Sequence, residues 1–173
     1  MKSLKYLIAF ALIVFTSSSV AQSKIGYVDS DTIMDQLTEA QDARQQLDTY
    51  IQEWQSDLKK MENEWKSKYD DYEKRKLIMS DQNRAELESE LIKLEQSIGE
   101  FREKKFGTNG ELFQKQDELM KPVQNKVFTV IKEVAVSEDL DFVLDRSGGV
   151  LLLYAKEKYD ITNLVIEKLK RAQ

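Results

Sequence analysis

From Ile33 onward the chain alternates apolar and polar residues on a seven-residue repeat. The seam positions are Ile33, Leu37, Ala40, Arg44, Leu47, Ile51, Trp54, Leu58, Met61, Trp65, Lys68 and Tyr72, in steps of four and three, and all but Arg44 and Lys68 are apolar or aromatic. A seam sustained this far predicts a coiled-coil helix, on the order of 65 to 70 Å long at the helical rise. The pattern stops near Ile78. Ser80, Asp81 and Asn83 then read as a polar turn, with Ser80 or Asp81 placed to cap the next helix. A second seam follows at Leu87, Leu91, Leu94, Ile98 and Phe101. Two matched seams around a polar turn predict an antiparallel helical hairpin, an arm spanning 33–137 with its tip near 78–84.

The return side of this arm is uneven. Lys105 and Thr108 occupy positions where the seam calls for apolar residues, and Gly107 and Gly110 lie beside them. A glycine inside a helix costs about 1 kcal/mol relative to alanine. Beyond this point the seam resumes one residue out of phase at Phe113, Met120, Val127 and Val134, with Val123 and Val130 between. Pro122 removes one backbone donor and would bend a helix. Gly107, Gly110 and Pro122 therefore mark either a hinge in a stiff arm or a static correction of phase.

Short strands flank the arm. Lys24 to Asp29 reads as a strand through Ile25, Tyr27 and Val28, with Ser30 or Asp31 capping the helix that follows. Leu140 to Asp145, through Phe142, Val143 and Leu144, and Val150 to Ala155, through Leu151, Leu152, Leu153 and Tyr154, read as two more strands. Ser147-Gly148-Gly149 between them forms a hairpin turn. Asp160 or Thr162 starts a last short helix with Ile161, Leu164, Val165 and Leu169 as its apolar stripe. The expected fold is mainly α with a small β body, formed by 22–32 and 138–173. So few strands leave open edges and apolar faces, which several chains can cover by pairing into one shared barrel-like core.

Before Lys24 stands a short targeting pattern: basic Lys2 and Lys5, an apolar run from Tyr6 to Phe15, and a small-x-small site at Ser19-Val20-Ala21. It predicts an exported protein cleaved after Ala21. The apolar run is shorter than the roughly 20 residues of a spanning helix, the alternative being an uncleaved anchor. The chain has no cysteine, no histidine and a net charge of -5. Cysteine and histidine nucleophiles, bases and metal ligands are thereby excluded, and a chain this acidic has no global electrostatic reason to bind nucleic acid. No Gly-rich phosphate cradle is present. Adjacent carboxylates such as Asp70-Asp71 point apart on a helix, so they form no acid–base pair. We expect no enzyme activity, no cofactor and no metal.

KIGYVDSDTIM at Lys24 to Met34 and LDFVLDRSGGVLLLYAKEKYDITNLVIEKL at Leu140 to Leu169 resemble the two ends of the Skp/OmpH family. VLD, LYA and YDIT follow in the family's order. The resemblance implies a homotrimer with a β body and three helical arms around a cavity. It also implies that unfolded outer-membrane β-barrel proteins are held there, in the periplasm, without ATP. The chain departs from the family's usual basic charge. Its basic residues Lys74, Arg75, Lys76 and Arg84 gather at the expected tip, as a contact for client or anionic membrane or as a solvated charged end. The other reading of such a chain is a coiled-coil envelope scaffold that docks one folded partner.

Overall fold

The computed structural model describes residues 23–149 and 151–171. The expected cleavage site at Ser19 and Ala21, and Val150, lie outside the described residues. The chain is mostly helical with one small sheet: β1 (Ile25–Val28), α1 (Ser30–Asp35), α2 (Thr38–Arg75), α3 (Asp81–Phe106), α4 (Glu111–Ser137), β2 (Phe142–Asp145), a 3-10 turn (Glu157–Tyr159) and α5 (Thr162–Arg171).

The heptad seam crosses a break that the periodicity does not reveal. Asp29, rather than Ser30 or Asp31, caps α1, its carboxylate accepting from the Thr32 N–H at 2.9 Å. Leu37 is then extended (φ -93°, ψ 125°) and α2 starts afresh at Thr38. The register survives because Leu37 stays buried and Arg44 pairs with Asp35 across the break. From there α2 runs 38 residues without interruption, about 57 Å. The turn at its far end falls at Lys76–Ser80, earlier than expected. Ser80 caps α3 through the Asn83 N–H (3.3 Å), and Asp81 and Asn83 belong to that helix.

Contacts between α2 and the two later helices descend as the chain ascends. Tyr72 donates to Glu88, Lys68 pairs with Glu90, Glu62 with Arg102 at 3.0 Å, and Glu39 with Lys126 at 2.6 Å. The packing between these helices is thin. Trp54, Leu91 and Ile98 are buried, whereas Leu47, Ile51, Leu58, Met61, Trp65, Leu87, Leu94 and Phe101 are half-buried.

The main core lies where chain start, helix roots and chain end meet. Ile33, Met34, Leu37 and Ala40 pack there against Val123, Val127, Val130 and Val134 of α4 and against Ile161, Val165, Ile166 and Leu169. Val165 and Ile166 both face this core, and Leu164, expected in the stripe, is 43% exposed instead. One turn of a ten-residue helix allows only a narrow buried arc, and Leu164 lies outside it.

β1 and β2 pair in parallel, Ile25 opposite Phe142 through Val28 opposite Asp145. Gly26 lets the Leu140 side chain and the Tyr159 carbonyl approach, at 2.6 Å and 3.4 Å from where a Cβ would stand. The expected third strand is absent among the described residues. Arg146 to Gly149 form a turn, but Leu151 to Lys156 have no ladder partner, so no strand hairpin forms among the described residues. The strand-forming side chains are there, but in one chain they do not join the open edge of β2.

Candidate functional site

Helix α4 ends in a Schellman arrangement that brings the second strand back to the first. The Leu140 N–H donates to Ala135 O (2.9 Å) and the Asp139 N–H to Val136 O (3.3 Å), with Asp139 in the left-handed region at φ 55°. The chain then reaches Lys24, whose backbone N–H donates to Asp141 at 2.8 Å.

At the opposite end of the sheet the stretches VDSD, VLDRS and YDIT converge. The Asp145 carboxylate accepts from the Ser30 N–H (3.1 Å), the Ser30 hydroxyl (2.5 Å), the Ser147 N–H (3.1 Å) and the Ser147 hydroxyl (2.7 Å). Burial works to raise this carboxyl, but the donors outweigh it and hold Asp145 below its usual range. Asp29 is likewise lowered, first by the Thr32 N–H and also by Arg146, whose Nε donates at 3.0 Å. The Asp29 N–H donates to Thr162 Oγ1 (3.0 Å), which fastens α5 to the sheet. These acids are joined to donors of the chain itself, and no group among the described residues is arranged to hold a metal ion.

Exposed apolar side chains stand out beside this cross-linked corner. Leu151, Leu153 and Tyr154 are 84%, 85% and 80% exposed, and Leu152 is half-buried. Phe142 and Ile25 at the sheet end are also exposed, while Tyr27 and Val28 are buried and Val143 and Leu144 half-buried. The expected body residues thus divide into a buried pair, Tyr27 and Val28 of β1, and an outward set made of Ile25, Phe142 and the segment after β2.

At the arm's far end the four basic residues do not make a bare cationic patch. Arg75 pairs with Asp71, Lys76 with Glu73 (2.8 Å) and Arg84 with Asp81 (3.5 Å), leaving Lys74 as the one of the four with no carboxylate within ion-pair distance. The large apolar groups exposed in the turn are Leu77 (89%) and Ile78 (84%). Sequence reasoning passed over this pair because they fall where the seam was ending. Their position in a turn, rather than on a helix face, is what exposes them.

Midway along the arm the return side is interrupted. Gly107 ends α3 and Gly110 precedes α4, so both sit in a four-residue break, and a Cβ at Gly107 would collide with the Glu103 carbonyl. Pro122 differs: α4 runs through it and buries Val123 beside it. The proline ring costs the helix one donor, and the surrounding valine packing keeps the helix in place. Around the break Trp54 meets Phe106 edge-on (6.1 Å) and Tyr50 in a stack (5.7 Å). Lys105 Nζ lies 4.6 Å from the Trp54 ring centre and pairs with Glu111 across the break. That hydrogen bond and charge hold Glu111 below its usual range.

The described residues define a mostly helical protein with a small two-stranded sheet, whose prominent exposed apolar side chains lie just after β2 and in the turn between α2 and α3. Residues 24–169 match the family model described as "Outer membrane protein (OmpH-like)", and the chain belongs to this OmpH family. Three similar curated proteins are each named "Chaperone protein Skp". The one from Yersinia enterocolitica is 24% identical, covering 94% of this chain and 95% of its own. That from Pectobacterium atrosepticum is 25% identical (92% and 93%), and that from Blochmanniella pennsylvanica 26% (98% and 99%). A crystal structure described as a putative OmpH-like outer membrane chaperone from Caulobacter crescentus superposes with a TM-score of 0.73 at 15% identity, covering 88% of this chain and 87% of that one. The family is one of chaperones and not of enzymes.

Proposed function

We propose that this chain is an ATP-independent periplasmic holdase chaperone that encloses unfolded outer-membrane β-barrel proteins between helical arms and keeps them from aggregating. The observation that carries the reading is the division of the chain into a thinly packed helical arm and a small base with unpaired apolar strand-formers. The arm is an antiparallel hairpin of α2 against α3 and α4. Residues 22–32 and 138–173 form the base, and the export signal ahead of them is removed after Ala21.

Leu151, Leu153 and Tyr154 belong to no ladder among the described residues and stand exposed. In a homotrimer they pair with neighbouring copies into a shared β-barrel-like body, which also covers Phe142 and Ile25. Three arms around a space can then surround a client. An unfolded barrel protein carries alternating apolar residues and open backbone edges. Many weak contacts along half-buried seams and exposed tips hold it without imposing a fold. Leu77, Ile78 and Lys74 supply such contacts at the tip.

The test dilutes a urea-unfolded outer-membrane barrel protein into buffer with and without the mature chain, ATP absent, and follows light scattering. Suppression, with a soluble complex of three chains and a client by size exclusion and static light scattering, is expected. An intact oligomer that leaves aggregation unchanged would overturn the reading in favour of a scaffold for one folded partner.

A further inference from the structure

We propose that Lys105 is a positioning residue that pins the arm's bend, acting as a latch between the two halves of the return side. Three helices meet at this one residue. Its ammonium sits over Trp54 of α2, 5.9 Å from the Phe101 ring of its own helix, and pairs with Glu111, the first residue of α4. Its side chain is only 17% exposed, although it occupies a seam position where an apolar residue packs better. A lysine held there serves the partners it reaches on both sides of the break.

The break itself offers little resistance. Between Phe106 and Glu111 the backbone is held by Gly107 N–H to Glu103 O (2.9 Å), Gly110 N–H to Gly107 O (2.8 Å) and a long bond from Gln114 Nε2 to Asn109 O (3.4 Å), and Thr108 and Asn109 are exposed. Opposite it α2 is unbroken, so a bend of the arm would require curvature of α2 with α3 and α4 shifting along it. The Lys105 contacts with Trp54 and Glu111 oppose that shift. Lys104 also approaches Glu111, at 3.6 Å, but is far more exposed and touches no ring.

The chain has no cysteine, so single labels can be placed at will. Spin labels at Gln82→Cys near the tip and Asn163→Cys in the base, diluted with unlabelled chain, report the arm's distance distribution by pulsed electron resonance. Lys105→Met keeps the aliphatic stem and removes the charge. It is expected to raise the bent population by roughly twofold or more, the factor set by the lower end of a cation–π contact. Lys105→Arg, which retains charge and ring stacking, should restore the native distribution. Should Lys105→Met lose helix content by circular dichroism, Glu111→Gln replaces it and is expected to broaden the same distribution. An unchanged distribution in the folded variant, or broadening that arginine does not reverse, overturns the latch. This readout needs no client, so the latch and the holdase reading fail independently. With the holdase active, Lys105→Met should also change the arm concentration needed for half-suppression of aggregation, and Lys105→Arg should not.

Discussion

Replacing Asp145 with alanine removes the acceptor that joins the strand ends to the first helix. Four donors lose their partner: two serine hydroxyls and the N–H groups of Ser30 and Ser147. The hydroxyls can turn to water or to each other, since they already lie 2.7 Å apart. The two partly buried N–H groups cannot turn, and each lost bond to a charged acceptor costs about 1.5 to 3 kcal/mol net. The expected loss from the two is therefore about 3 to 6 kcal/mol. Asp145→Asn separates charge from geometry. Its amide oxygen can replace Oδ1, which accepts both N–H groups, and its amide nitrogen can donate to Ser30 Oγ, so the loss should stay below about 1 kcal/mol. Because the folded-state carboxyl is held low, its stabilisation is complete above the ordinary carboxylate range. It is lost as pH falls through the lower folded-state value. Asp145→Asn should flatten that acid limb. Urea unfolding at fixed chain concentration, followed by circular dichroism, measures both effects. Equal midpoints for wild type and Asp145→Ala, or an unaltered acid limb in Asp145→Asn, would refute the account of the corner.

Asp139→Gly should stabilise the chain by about 0.5 to 1 kcal/mol, because glycine adopts the left-handed cap freely and the ion pair it gives up with Lys24 is exposed; a lowered midpoint in urea counts against that reading. Leu151→Ser combined with Leu153→Ser should shift the mature chain toward monomer in size exclusion with light scattering, since their apolar area is left open in a single chain. An unchanged oligomer would place the subunit contact elsewhere.

The long helix was legible because seam residues repeat whatever the backbone does locally. That same indifference hid the extended Leu37, which keeps its place in the seam while separating α1 from α2. The Asp29 cap was missed because three polar residues follow one another and only geometry selects among them. Leu151 to Tyr154 show the opposite limit: the residues favour strand, but a strand also needs an edge, and local preference supplies none. The corner around Asp145 was present in the quoted motifs as separate words. Their meeting depends on contacts between residues more than a hundred positions apart, such as Ser30 with Asp145 and Asp29 with Thr162. Lys105 was noticed as an interruption of the seam, and its role required seeing Trp54 and Glu111 beside it.

That distance along the chain has a kinetic consequence. β1 is complete within the first residues of the described chain, yet its partner β2 and the clasp at Thr162 come from the far end. The helical pairing near the tip joins residues as few as sixteen apart, Tyr72 with Glu88, and closes a short loop. The base closes a loop of well over a hundred residues and so orders last. A chain emerging amino end first therefore zips from the tip downward and carries an unpaired β1 until β2 has followed α4; the final helix then closes the base through Thr162 and its buried stripe, so loss of the last dozen residues opens the core beneath a sheet that can already pair.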